Sequence, residues 1–285
     1  MREPPEDRFS FARKLAVRIL AALGVVLFGF FFSMIAAETL GVIEPGAEGS
    51  PEDPPASAAA RLGASRPGEA VHAAGALGVL LIGGSGLVGL MAKPQSSGYS
   101  YQVLAGMSGV LLTLPIVGNP NNVGGQAGWI DPVLLVFVLP PIAAALLAKP
   151  WRHWRLREGL TPRFLFLAAI GAIPATWYGV DQALLQRNTF PPTADPHHNA
   201  HWWVMGIVAF MAVLVVAAAA LPSVGRRLGA LVAALAAAGV GVASLIASSS
   251  ASAVWWGWAI AAVVWGLVGI GFTVRRPARE RAAVG

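Results

Sequence analysis

Eight long apolar stretches joined by shorter polar segments account for most of the chain: residues 15–40, 71–92, 101–118, 131–149, 162–186, 200–222, 228–248 and 252–274. A helix rises about 1.5 Å per residue and the hydrocarbon core of a bilayer is about 30 Å thick, so each stretch can cross it. The pattern predicts an all-α fold: a polytopic membrane helical bundle of eight transmembrane helices, forming one domain over residues 1–285. Asp131-Pro132, Thr161-Pro162 and Asp195-Pro196 each set a capping side chain before a proline, where the missing N–H costs a helix nothing.

The positive charges give this pattern a direction. If the N-terminus is cytoplasmic, all of the 20 Lys and Arg residues except Arg61, Arg66 and Arg187 fall in cytoplasmic segments. Short loops rich in Lys and Arg stay on the cytoplasmic side. The expected arrangement is therefore both termini inside, in the cell inner (plasma) membrane. The basic residues before the first stretch resemble the start of a signal peptide, but the apolar run that follows is longer than a cleavable signal core. It is read as a retained first helix. Trp151, Trp154, Trp202, Trp203, Trp255 and Trp256 lie at predicted helix ends, where an interfacial belt collects.

Composition narrows the classes. The chain is 56% hydrophobic and only 12% charged, whereas soluble domains carry roughly 25% charge. The net charge of +6 would raise nucleic acid as a partner in a soluble protein, but here topology accounts for it, and no nucleic acid is expected. The expected partners are the lipid bilayer and, for a subunit of a larger complex, other membrane proteins. The chain has no cysteine, which removes thiolate metal sites, iron–sulfur clusters and thiol nucleophiles. The abundance of alanine reads as genomic bias. Residues 41–70 read as a flexible, acidic outer loop.

Two motifs have structural readings. Gly84-Ser-Gly86-Leu-Val-Gly89 matches the dinucleotide fingerprint, but it lacks the strand that the fingerprint requires. With Gly75, Gly78 and Gly83, and with Gly106 and Gly109 in the next stretch, it predicts close helix packing and a central place for the second and third spans. Pro115, Pro140, Pro141 and Pro174 predict bends, with a cavity or hinge as the functional alternative, because proline frees a backbone carbonyl.

The chemistry-bearing stretch is Asp195-Pro-His-His-Asn-Ala-His201. His197 and His201 are four residues apart, and His198 and His201 three, so either pair can share a helix face and one metal ion. His72 opens the second span on the same side. Glu38 and Asp181 lie at that depth, and an ionisable group there usually faces a partner or a wet cavity. The expected site is an outward-facing cluster of His72, His197, His198, His201, Asp181 and Glu38. It would hold copper or zinc, or a haem between His72 and His201, in a redox or metal-handling role. The alternatives are a cofactor-free transporter or permease, with Asp181 and His201 relaying protons, and a structural or assembly subunit.

Overall fold

A computed structural model of the chain describes residues 6–39, 67–117, 134–149, 160–188, 201–223 and 225–274. The helices are α1 (Glu6–Thr39), α2 (Pro67–Ala92), α3 (Ser97–Val117), α4 (a π-helical turn, Leu134–Val138, running into Leu139–Leu147), α5 (Pro162–Asn188), α6 (His201–Ala218), α7 (Arg226–Ile246) and α8 (Trp256–Val274). No strand occurs among the described residues. Each helix coincides with one apolar stretch to within a few residues at most ends. α1 is the exception, starting well before its stretch.

Six of these helices are long and apolar enough to cross a membrane, and α4 and α6 are shorter apolar helices. Their outward faces are apolar too. Phe11, Ile19, Val26 and Phe30 on α1, Phe166, Ile173 and Trp177 on α5, and Val264 and Leu267 on α8 are all exposed. Continuous apolar surface of this extent suits lipid and not water. The architecture is that of a multi-pass membrane bundle.

α2 packs on α1, α3, α6 and α7, while α6 packs on α2, α3, α5 and α7. The glycine pattern predicts a central α2, and α2 is there. Gly75 faces Met205, Gly78 faces Val208, Gly83 faces the Phe28 ring and Gly86 faces Val103, each so close that a Cβ would collide. The fingerprint match is thus a helix-packing surface. α6 shares the centre without such a motif, with Val204, Met205, Ile207, Val208 and Met211 all buried. α3 is somewhat less enclosed than α2, although both expose leucines on their outer sides.

Hydrogen bonds sort the helix ends into two layers. At one end, Arg18 Nε donates to the Met91 carbonyl, the Thr161 N–H to the Ala220 carbonyl, and Arg226 Nη1 to Thr161 Oγ1. At the other, His72 on α2 meets Ser252 in the α7–α8 connection, α5 reaches the same connection, and the start of α6 bonds the end of α5. Thr161 precedes α5 as expected, although its hydroxyl receives Arg226. Asp131, Asp195 and the 41–70 loop up to residue 66 lie outside the described residues.

Candidate functional site at the His72 end

His72 stands in the first turns of α2, and its ring is buried. Its Nε2 forms a hydrogen bond with the hydroxyl of Ser252, which is itself fully buried, the donor being set by the imidazole tautomer. Tyr178 of α5 donates its hydroxyl to the Ser252 carbonyl at 2.6 Å. Ser252 therefore ties α2 to α5 through two different groups. One helical turn on, Gln182 is buried, with its amide 3.4 Å from the Ala251 carbonyl and from an Asp181 carboxylate oxygen. Its Oε1 has no hydrogen-bond partner, which is unusual for a buried amide.

The layer extends toward α6 and α3. Gln186 Oε1 accepts from the Trp203 backbone N–H at 3.2 Å, and Trp203 Nε1 donates to Thr113 Oγ1 at 2.7 Å. Trp203 is buried, so it is a bridging residue and not part of an interfacial belt. Trp255 and Trp256 do fit the belt: they are exposed at this end, with their rings 4.9 Å apart.

The six predicted site residues divide as follows. His72 lies inside the layer. Asp181 lies on the same turn of α5 as Gln182 but is exposed, beside Ile173, Trp177 and Leu184 on the outward face of that helix. The Gln182 amide is within hydrogen-bonding reach of its carboxylate. His201 is the first residue of α6, at the His72 end, and Glu38 is in the last turn of α1. The side chains of Glu38 and His201, and all of His197 and His198, lie outside the described residues. Among the described residues no group of three or more His, Cys, Asp or Glu side chains could hold a metal ion.

No protein-family model, curated protein or solved structure matches this chain. The chemistry of the site rests on its own residues.

Sequence reasoning does not single out Tyr178, Gln182, Gln186, Thr113 or Ser252. Gln182 and Gln186 do leave a signal: two amides one turn apart in an apolar helix need partners as much as a carboxylate does. Ser252 sits in a serine- and alanine-rich connection and carries no sequence signal. A second buried polar group lies deeper, where Gln102 Nε2 donates to the Ile82 carbonyl and to Ser85 Oγ, both at 2.8 Å. Val79, Met107, Ile207 and Met211 are fully buried apolar members of the core.

Proposed function

We propose that the protein is an eight-span protein of the cytoplasmic membrane, with both termini in the cytoplasm, and that it works at its outer end through a histidine site centred on His72. The carrying observation is the polar layer itself: a buried histidine, a bridge from the half-buried Tyr178 to the buried Ser252, and a buried glutamine gathered at the end opposite Arg18, Arg163 and Arg226. Under this reading copper or zinc would be held by His72 together with His201 and one of His197 and His198, and a haem by His72 and His201 alone. Of that set, His72 fits on its burial and place in the layer. Asp181 is exposed on the outward face of α5, one residue from the buried Gln182.

Metal analysis and an optical spectrum of the purified protein test this assignment. The expected result is bound copper or zinc, or a Soret band, that is lost in His201→Ala. A protein purified without metal or haem, under conditions that retain weakly bound ions, overturns it.

One observation favours a second reading. His72 Nε2 already bonds Ser252, so while that bond stands only Nδ1 is open to a metal. In the cofactor-free reading, that of a transporter or permease, His72 exchanges a proton from within this buried layer. Between the two layers the core is mostly apolar, with Gln102 and Ser85 as a separate polar pair, which supports a site confined to one end better than a polar path across the bundle.

The topology has its own test, made simple by the absence of cysteine. Ser50→Cys is expected to react with a membrane-impermeant maleimide in intact cells, and Ala283→Cys only after permeabilisation. Labelling of Ala283→Cys in intact cells would remove the inside-to-inside arrangement, and a Ser50→Cys that reacts only after permeabilisation would remove the outward placement of His72.

A further inference from the structure

We propose that a cavity between α5, α6, α7 and α8 holds one acyl chain of a bilayer phospholipid. The cavity encloses about 300 Å³. At roughly 30 Å³ per carbon, close to the share of one water in the liquid, that is room for about ten carbons. Alanines form much of its wall: Ala175, Ala209, Ala212, Ala237, Ala261 and Ala262. Two polar groups on the lining spend their hydrogen bonds within the protein. Tyr178 donates to the Ser252 carbonyl, and Trp265 Nε1 donates to the Leu167 carbonyl.

This chemistry selects the occupant. Water in a cavity needs several polar partners, and this wall, apolar apart from the Ile170 carbonyl that Pro174 leaves without an N–H and the indole N–H of Trp258 at the rim, offers few. An empty space forfeits the dispersion contacts of every atom that lines it. A hydrocarbon chain already in the bilayer supplies those contacts and loses no hydration on entering.

The shape of the seam provides the route. Trp265 closes it at one end, its ring lying against Gly171 so tightly that a Cβ there would fall 2.6 Å from Nε1. Toward the His72 end the rim residues Ile173, Trp258 and Ala261 are exposed to the lipid side. Pro174 keeps this wall apart: it has no N–H to give the Ile170 carbonyl, and both residues line the cavity. An acyl chain of the leaflet on the His72 side can thus slide in between α5 and α8, its tail directed at Trp265 and its headgroup left outside near Trp255 and Trp258.

Photolabelling tests this with the full-length protein in phospholipid vesicles containing phosphatidylcholine that carries a mid-chain diazirine. Peptide mapping is expected to find label on Val208 and Ala212, which are buried from lipid outside the bundle. Ala212→Phe should cut that label about tenfold, since a phenyl ring fills the slot. Ala261→Phe, a filler at the exposed rim, should do the same with less risk to folding. Label on the outer face of α8 at Val264 and Leu267 should persist in both variants. The proposal is overturned if label appears only on such outward residues, or if neither filler reduces it at Val208 and Ala212. It is also overturned if a small mole fraction of a polyprenyl quinone displaces the label, which would assign the cavity to an isoprenoid.

Discussion

Gly266→Leu is expected to prevent stable assembly of the bundle, at a cost of about 3 kcal/mol or more. A Cβ at Gly266 would fall 2.5 Å from the Ala234 carbonyl oxygen and 2.7 Å from the Ala238 Cβ. The first is a backbone atom, which cannot swing aside as a side chain can. The same seam repeats at Gly241, where a Cβ would fall 2.7 Å from the Ala259 carbonyl oxygen. α7 and α8 therefore meet backbone to backbone, through small residues on both helices. Packing of this kind carries association in lipid, where tails and leucines are equally apolar. Gly266→Ala should already lower stability by about 1–3 kcal/mol, although alanine is the better helix former by about 1 kcal/mol. Gly271→Ala supplies the contrast. Nothing lies within 4 Å of a Cβ there, so the propensity gain should stand alone and leave the protein as stable or slightly more so. Thermal unfolding in detergent, followed by the fraction remaining monodisperse, compares the three. A Gly266→Leu variant that melts with the parent would sink the close-contact argument.

That seam also marks a limit of sequence reading. Apolar stretches locate the eight helices well, because little besides a membrane span produces an apolar run of that length. Glycines in α2 announce packing, and Gly78 and Gly83 do touch neighbouring helices. The alanines of α7 read as genomic bias, yet Ala233, Ala234 and Ala236 are buried. Alanine has no helix-face signature when it occupies every face, so only the neighbour decides which copies matter. The centrality of α6 is hidden for the same reason: a helix apolar all round gives no moment to orient it.

The site is legible in part. Charge alternation predicts that residues 72 and 201 share one end, and helix packing brings α2 and the start of α6 to the same layer. Asp181 shows why depth alone misleads. An ionisable residue in an apolar helix is expected to face inward, but its neighbour Gln182 takes the inward direction, about 100° away around the helix axis. At this height a single residue of offset separates the buried face from the outward one. Ser252 lies beyond sequence reading altogether, since its importance comes from two contacts with α2 and α5 that only the fold creates.

His72→Ala is expected to cost about 2–4 kcal/mol, the sum of a small cavity and a buried hydroxyl left without its bond. Ser252→Ala should cost about 1–2 kcal/mol, because it leaves the buried His72 Nε2 without this bond. If the two residues act through their shared bond, the double variant should be less destabilised than the sum of the singles, with a coupling of about 1–2 kcal/mol. This cycle separates the two functional readings of the histidine. In the cofactor-free reading the coupling is the same with and without a chelator, because Ser252 is the partner in both cases. In the metal reading, an ion on Nε2 displaces Ser252, so metal weakens the coupling and chelator restores it, whereas an ion on Nδ1 leaves the coupling in place; in either case His72→Ala loses an added increment of stability only when metal is present. Equilibrium unfolding in mixed detergent micelles, run with each metal and with chelator, measures all four variants. Additive single effects in both conditions would mean that the Ser252 bond holds nothing together. Tyr178→Phe then becomes the decisive variant, because the Tyr178 hydroxyl is the other tie between α5 and the Ser252 connection.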